Sequence, residues 1–383
     1  MFHTFKAVVA SVSILLAMPV VAEVQPSFNQ LQVASQVFLG NPRDASFEAL
    51  AAAILASPNS AELFDLISGN QHTTDPFVTA LLNRQFVRRL FDPIRQEVTV
   101  MPCCRCIDPC NDGYDVWFEG SWDRAFLEND RHGFGFNSNG YELTLGIQKK
   151  FCDVATVGIA ASYAYDYLHY NLGGHGKMDT ALLGLYGLYR PQCWYVLADI
   201  AGSYTENKIH RHFTVLDVDF NTRCSAPLFN LIAYAEAGVD IPACFVLVQP
   251  FFGIETITYW RDRTKEHGAD RFGLIVYERS ETSATTRLGL HVSTFEYQTF
   301  SVSIDGAWNC RLTKIDNIHW NSFTGFGNFY AGHPVCLGRN SAEGAVTLTS
   351  RLDDNWRVYA QAAGEIWNHA SDYSLLLGVQ ASW

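Results

Sequence analysis

The chain has 383 residues, of which 48% are hydrophobic, 14% aromatic and 17% charged, and its formal net charge is -12. The negative balance argues against nucleic acid as a partner and gives no polybasic signal for anionic membrane surfaces. The charged fraction is low, and the aromatic fraction high, for a soluble globular protein.

Residues 1–22 are typical of a secretory signal peptide. Lys6 supplies the positive charge, residues 7–18 form an apolar run, and residues 20–22 give a small-residue cleavage site. The alternative, an N-terminal membrane helix, is disfavoured because the run is too short to span a bilayer. Since no later stretch has 18 apolar residues, we expect an exported chain that is either soluble in the envelope or a membrane β-barrel.

Residues 23–74 form a short N-terminal region with the 3.6-residue period of helices. Residues 75–97 contain a further candidate helix, with Asp75 as its N-cap and Pro76 at its first helical position. This helix carries three arginines among apolar side chains: Arg84, Arg88 and Arg89. It is either packed in a small helical domain or threaded through a barrel, where its arginines would need inward carboxylates as partners.

Residues 98–113 form a cysteine-rich hinge. Four cysteines fall within eight residues: Cys103, Cys104, Cys106 and Cys110. Their spacing fits no standard zinc pattern, and disulfides are favoured in an exported chain. Because adjacent cysteines rarely pair with each other, we expect partners elsewhere in the chain or on other envelope proteins.

Residues 114–383 follow a period of two, which predicts twelve strands. Connections after the even-numbered strands are two or three residues long, whereas most of those after odd-numbered strands run roughly 12 to 30 residues. An even strand count with alternating short turns and long loops is typical of an outer-membrane barrel; a soluble all-β protein is the alternative. The predicted strands are 114–124, 139–149, 153–166, 179–190, 193–206, 228–241, 244–257, 281–293, 297–310, 341–351, 355–367 and 373–383.

The final strand closes this predicted barrel by pairing with the first strand near Tyr114. It has the length of a transmembrane β-strand and an apolar side that continues to Trp383. On the inward faces of the barrel we expect six carboxylates that could meet the arginines of the 75–97 helix: Glu119, Asp199, Glu236, Asp240, Glu255 and Glu365.

The predicted topology sorts the remaining cysteines into two sets. Cys152, Cys193 and Cys244 fall at short turns, on the same side as the 103–110 cluster, and Cys224, Cys310 and Cys336 fall on the long-loop side. We therefore predict disulfides within each set. Free thiols at strand ends are the alternative.

Histidines and aspartates in the long loops raise the alternative of a hydrolase at the barrel rim. The sequence does not fix their mutual geometry, and it contains no recognisable cofactor motif. We expect no catalytic, cofactor-binding or metal site and no enzymatic activity. The loop residues concerned are His132, His175, His210, His212, His267, His319, His333, Asp130, Asp217, Asp219 and Asp262.

Residues from about 75 to 383 resemble the β-domain of classical (type V) autotransporters. The resemblance rests on the helix PFVTALLNRQFVRRLF, the first strand VWFEGSW, the segment GYELTLGIQKKF and the closing YSLLLGVQASW. It implies an all-β transmembrane barrel of twelve antiparallel strands, with a helix through the lumen that leads to an N-terminal passenger at the surface. It also implies an outer-membrane protein of a Gram-negative-type bacterium, with membrane lipid and the outer-membrane assembly machinery as partners.

The resemblance further implies that this machinery reads the apolar side of the last strand: Tyr373, Leu375, Leu377, Val379 and Trp383. The cysteine content resembles envelope proteins of chlamydia-like bacteria, whose outer membranes are disulfide cross-linked. Residues 23–74 are unlike a long passenger because they are few and have no repeats. We therefore expect a translocator or anchor that exposes a short segment; a stand-alone structural barrel or a diffusion channel is the alternative.

Overall fold

The computed structural model describes residues 26–39, 52–54, 56–91, 93 and 113–383, with gaps at 132, 153, 216, 244, 296–298, 314–317 and 326–327. The predicted signal peptide, the 103–110 cysteine cluster and Cys244 lie outside the described residues. Within the described part of the chain, no helix is both long and apolar enough to cross a lipid bilayer.

Three α-helices with both ends among the described residues precede the strands: α1 (Phe28–Leu39), α2 (Ser60–Ile67) and α3 (Asp75–Leu90). A short 3-10 helix, Asn70–Thr73, joins α2 to α3. The predicted N-cap residue of the third helix, Asp75, is its first helical residue, and Thr74 takes the cap position. The acidic first turn and basic last turn of α3 both favour its helix dipole.

Twelve long antiparallel strands of the described chain form a closed barrel, as predicted from the sequence. They are β1 (Gly113–Leu127), β2 (Phe136–Phe151), β3 (Ala155–Tyr170), β4 (His175–Tyr189), β5 (Trp194–Val215), β6 (Val218–Val239), β8 (Val246–Arg261), β11 (Arg279–Thr294), β12 (Phe300–Arg311), β15 (Asn340–Arg351), β16 (Trp356–Ile366) and β17 (Ala370–Ser382). Five short strands complete the set: β7 (Ile241–Ala243), β9 (Thr264–Lys265), β10 (Leu274–Val276), β13 (His319–Phe323) and β14 (Tyr330–Gly332).

The barrel closes between its first and last strands. β17 pairs with β16 on one side and with β1 on the other, so that Leu377 lies opposite both Ala360 and Gly120. Tyr114 and Trp383 exchange two backbone hydrogen bonds of 3.0 Å. The predicted pairing of the last strand with the first is confirmed, and no strand edge remains open at this seam.

Side chains alternate between an apolar outward face and a polar inward face. On β2, Leu143 and Leu145 point outward and are each 56% exposed, whereas the inward Glu142 and Thr144 are buried. This arrangement inverts that of a soluble protein. It is the arrangement of a barrel that meets lipid outside and a polar lumen inside.

The two ends of the barrel differ. At the short-turn end lie the connections 152–154, 190–193, 240–245, 295–299 and 352–355, together with the two ends of the barrel sequence. At the opposite loop end, the connections 262–278 and 312–339 carry a small sheet of β9, β10, β13 and β14.

The prediction of long loops after the third and fifth strands is largely wrong. β3 and β4 are joined by only 171–174, and β5 and β6 continue to Val215 and Val218 as a hairpin that extends the wall. In residues 207–215 the pattern reverses: inward side chains include the apolar Ile209, Phe213 and Val215, whereas the outward ones are polar. The apolar-outward alternation of a membrane strand is therefore absent there.

The N-terminal helices form a cap over the loop end, which we define as residues 26–39 and 56–74. Phe64 and Ile67 of α2 pack in one hydrophobic cluster with Phe213 of β5 and Leu274 of β10. The side-chain amides of Asn29 and Asn70 both donate 3.0 Å hydrogen bonds to the backbone carbonyl of His333. The cap is therefore docked on the barrel rather than separate from it.

Candidate functional site

Helix α3 runs through the barrel lumen from the loop end towards the short-turn end. Its first residue, Asp75, contacts the loop-end part of β5 and β8, and Phe91 packs on Tyr186 and Tyr234 with ring centroids 6.4 and 6.0 Å apart. The apolar side of α3 faces the wall of β3–β6. Gly184 permits this close approach, because a Cβ there would lie 2.9 Å from the Phe86 ring.

Two arginines of α3 reach carboxylates on the opposite wall. Arg84 binds Glu255 with Nε–Oε1 at 2.9 Å and Glu365 with Nη1–Oε1 at 3.4 Å. Arg88 lies 2.5 Å from Glu343 and 3.0 Å from Glu365. Glu365 is thus shared by both arginines, and the pairs lie in a confined lumen where unpaired charges would be costly.

The third arginine ties α3 to a different wall. Arg89 forms a short ion pair with the buried Glu142 of β2, which also accepts a 2.7 Å hydrogen bond from Ser162. Gln85 donates a 2.8 Å hydrogen bond to Asp372 of β17. Polar contacts therefore hold α3 from more than one side of the lumen.

The six predicted inward carboxylates are all buried, but only two of them contact α3. Within the described chain, Glu255 and Glu365 bind the arginines of α3, whereas the other four belong to the barrel wall and do not bind these arginines. Glu119 accepts a hydrogen bond from Tyr359, Glu236 from Tyr195, and Asp240 from Gln249, while Asp199 is buried on β5.

Sequence reasoning missed Glu142 and Glu343 as partners of α3. A signal for Glu142 was present, because it alternates with outward Leu143 and so had to face inward. Which carboxylate meets which arginine depends on the rotation of α3 in the lumen, and periodicity alone does not encode that rotation.

A buried ion pair fixes the start of α3 at the loop end. Asp75 Oδ2 lies 2.9 Å from Arg261 Nη1 of β8, and Asn207 of β5 donates a 2.6 Å hydrogen bond to Asp75 Oδ1. The Arg261 guanidinium also donates to the His72 carbonyl at 3.0 Å. These residues join the cap, the lumen helix and two strands.

A second buried cluster lies beside this pair. Arg211 of β5 donates two 2.7 Å hydrogen bonds to Glu266, and His72 Nε2 lies 2.7 Å from the same carboxylate. Arg261 Nη2 lies 3.1 Å from His72 Nδ1 and can only donate, so Nδ1 accepts and Nε2–H donates to Glu266. The imidazole is therefore neutral in this arrangement.

The pKa values of these loop-end groups agree with that assignment. Burial lowers the pKa of His72 to about 4. Burial alone would raise the pKa of Glu266, but Arg211 and the hydrogen bond from His72 outweigh it and hold that pKa at about 2. At neutral pH the cluster is an Arg–carboxylate pair with a neutral histidine.

The cysteines on the loop-end side do not pair with one another as predicted. Cys224, Cys310 and Cys336 are free. Cys224 is buried on an inward position of β6, Cys310 lies on β12, and the Cys336 N–H donates to the Asp130 carboxylate at 2.9 Å, so the three thiols do not converge. Cys152 and Cys193 lie at the short-turn end, and their predicted pairing with the 103–110 cluster or Cys244 stays a prediction.

The loop histidines are dispersed around the loop end. His175 stacks on His210 outside the wall, His319 is buried near Arg261, and His333 packs on Phe28. Among the described residues, no three His, Cys, Asp or Glu side chains are placed to hold a metal ion.

The predicted assembly residues of β17 share the outward face. Tyr373, Leu375 and Leu377 are exposed on the strand, Val379 is half-buried, and Trp383 is exposed just after it. The inward neighbour Leu376 is buried. Their role in assembly remains a prediction.

Comparisons with known proteins agree with this geometry. The family model of the autotransporter β-domain matches residues 116–363. The translocator domain of NalP from Neisseria meningitidis superposes with a TM-score of 0.61 at 15% identity, covering 79% of this chain and 97% of that chain. No curated protein sequence matches significantly.

Two further autotransporter structures match at lower TM-scores. The transport unit of AIDA-I from Escherichia coli gives 0.49 at 16% identity, covering 70% of this chain and 90% of that chain. The β domain of the Bordetella autotransporter BrkA gives 0.45 at 14% identity, covering 70% and 99%. The family match spans well over half of the chain, and the chain therefore belongs to the autotransporter β-domain family as a Gram-negative outer-membrane β-barrel translocator.

Proposed function

We propose that this translocator retains its own N-terminal segment, with α3 as a lumen plug and the cap displayed at the cell surface. It acts as a membrane anchor without an enzymatic step. The observation that carries the proposal is the set of ion pairs from α3 to opposite walls. Withdrawal of α3 would leave Glu142, Glu255, Glu343 and Glu365 without these cations in a confined lumen.

The direction of α3 supports a surface location for the cap. The helix begins at the loop end, and the chain after it re-enters the barrel at Gly113, at the short-turn end. Outer-membrane barrels place short turns in the periplasm and long loops outside. The cap then lies outside, and Gly113 lies on the periplasmic side.

A diffusion channel is the second candidate, and one cavity favours it. Because α3 packs on β3–β6, space remains between it and the walls of β11–β17. This cavity is lined by charged and polar side chains that include Arg88, Arg287, Glu343, Asp305 and Asp372. This second candidate requires the cavity to connect the two ends of the barrel, which would let small ions pass while α3 remains in place.

The cysteines of the short-turn end suggest an additional anchoring role. We propose that the 103–110 cluster, with Cys152, Cys193 and Cys244, forms disulfides on the periplasmic side, within the chain or to other envelope proteins. The proposal is supported by the position of Cys152 and Cys193 at one end of the barrel. Diagonal gels of outer membranes, non-reducing and then reducing, would reveal such links. A monomer of unchanged mobility with fully alkylatable thiols would contradict them.

Surface display is tested with an epitope inserted at the exposed turn 58–59 of the cap. The proposal expects antibody binding on intact cells. The matched control is the same epitope in the exposed short turn 353–354, which should be detected only after permeabilisation. A cap epitope found only after permeabilisation, or only in the culture medium, would contradict the proposal.

A further inference from the structure

The outward wall of β4–β6 carries a basic band near the loop end. We define the band as Lys177 on β4, Lys208 and His210 on β5, and Arg223 on β6, with His175 adjoining it. The residues are cross-strand neighbours: Lys177 lies opposite Lys208, and His210 lies opposite both His175 and Arg223. Strand pairing therefore holds these cations in two adjacent rows.

The charge of the band is only partly compensated. Lys208 binds Glu206 at 3.0 Å and Asp179 at 3.7 Å, one row closer to the barrel centre. Neither Lys177 nor Arg223 forms an ion pair with another described residue. The pKa of His210 is lowered, first by burial and then by the neighbouring His175, Arg223 and Lys177. The local field is positive although the whole chain is acidic.

An apolar groove lies directly below the band, on β4, β5 and β6 and the adjoining β8. Its sides are outward side chains that include Leu183, Tyr204, Phe229 and Trp260. Its floor includes Gly202, where an added Cβ would meet only the Asn230 carbonyl at 3.8 Å. The groove is therefore open space that a larger side chain at position 202 would fill without backbone strain.

The height of the band places it at the lipid headgroups. β5 has 22 residues, whereas crossing a bilayer takes about 9–11 strand residues. A span that begins at Trp194 ends near the aromatic row of Tyr204 and Phe229. Lys208 lies four residues further on, about 10 Å higher for a tilted strand.

The opposite wall lacks this feature. Near the loop end of β11, β12 and β15, the outward residues Thr282, Cys310 and Asn340 are uncharged. The band is thus absent from this wall; on β1, Arg124 is a single outward cation that lies over the Phe126 ring. A general adaptation to the membrane surface would instead surround the barrel.

We propose that the groove and the basic band form one binding site for a phosphorylated lipid of the outer leaflet. An acyl chain would lie in the groove along Gly202 and Tyr204, and the phosphate would be held by Lys177, Lys208 and Arg223. The inference rests on the orientation used above, in which the loop end is outside. It is independent of whether α3 stays in the lumen, so either proposal can fail alone.

The test uses full-length protein in detergent with bisphosphorylated lipid A, and native mass spectrometry to measure bound lipid. K177Q and R223Q are each expected to weaken binding about fivefold, the effect of one cation near a charged membrane surface. K149Q is the matched control, since Lys149 lies on β2 at the short-turn end, over the Tyr114 and Phe151 rings. Dephosphorylated lipid A is expected to bind the wild-type protein as weakly as phosphorylated lipid A binds the K177Q/R223Q double variant.

The groove has its own matched pair of variants. G202L is expected to reduce lipid A binding, whereas G306L on the opposite wall, where a Cβ is also tolerated, should leave it unchanged. Heat-modifiable mobility on gels verifies that each variant is folded. Equal binding of phosphorylated and dephosphorylated lipid A would overturn the proposal, as would equal losses in K177Q and K149Q. Displacement of lipid A by millimolar inorganic phosphate would indicate a free-phosphate site and would also overturn it.

Discussion

Asp75 and Arg261 form an ion pair of 2.9 Å in which neither side chain is exposed. Asp75 is the first residue of the lumen helix, and Arg261 is the last residue of β8. Arg261 also donates a hydrogen bond to the His72 carbonyl of the cap. Arg261 therefore couples the cap, the helix and the barrel wall at the barrel mouth.

Replacement of Asp75 with Asn should weaken cap docking strongly. Arg261 would remain buried without its carboxylate, which typically costs about 3–5 kcal/mol. We expect faster cleavage of the cap by protease added to intact cells. Glu62→Gln, the same carboxyl-to-amide change at an exposed position of α2, should behave as wild type. Equal cleavage of the wild type, D75N and E62Q would rule out a role of the Asp75–Arg261 ion pair in cap docking.

Cap docking should weaken on acidification. The pKa of His72 is about 4 in the folded cap and 6.5 when unfolded, so the unfolded state takes up a proton first and stability falls from pH 6.5 to about 4. The pKa of Glu266 is held at about 2, so its contribution is lost between pH 4.5 and 2. We therefore expect protection of the cap from protease to decrease as the pH is lowered from 7 to 4, and a protease assay over this range measures it.

Two groups act in the opposite direction. Burial raises the pKa of Asp65 and that of Asp75 to about 6, so their contributions to docking are full below pH 3.8 and are lost as the pH rises through 6. The profile of His72→Gln isolates the histidine, because the contributions of Asp65 and Asp75 are present in both proteins. If cap protection changed with pH in the same way in wild type and H72Q, protonation of His72 would not be coupled to docking.

Glu365→Gln should loosen α3 because one carboxylate serves both Arg84 and Arg88. We expect increased influx of a small hydrophilic antibiotic into cells that carry the variant. Glu119→Gln is the control, since that buried carboxylate accepts a hydrogen bond from Tyr359 of the wall. Equal influx through both variants would show that the effect is not specific to the helix contacts.

Leu377→Arg should impair membrane insertion. Leu377 is outward and 70% exposed, so it faces lipid. A charge at the bilayer midplane costs about 2–4 kcal/mol in a barrel. The amount of heat-modifiable protein in outer-membrane fractions measures insertion. Deletion of Trp383 should also reduce this amount. Leu352→Arg, in an exposed short turn, should insert normally; normal insertion of L377R would refute the role of β17.

The barrel and the lumen helix could be predicted from the sequence because both have local signals. Alternation on β2 and β17 and the punctuation of α3 by Pro76 are short-range patterns. The hairpin of β5 and β6 was missed at its tip, where apolar Ile209 and Phe213 face inward and the two histidines between them face outward. This alternation has the opposite sense to that of a lipid-facing strand.

The cap contacts could not be predicted for a different reason. His72 and Glu266 are separated by 194 positions, and their contact depends on where the cap docks. The partners of Arg88 and Arg89 likewise depend on the rotation of α3 in the lumen. Long-range docking of this kind has no periodic signature in the chain.

The most direct test of the account is planar-bilayer conductance of the full-length protein compared with a form lacking residues 26–91. We predict a small conductance for the full-length protein, limited by the space beside α3, and a large stable conductance for the truncated barrel. Folding of both forms is verified by heat-modifiable mobility. An equally large, stable conductance from both would contradict the claim that the N-terminal segment closes the lumen.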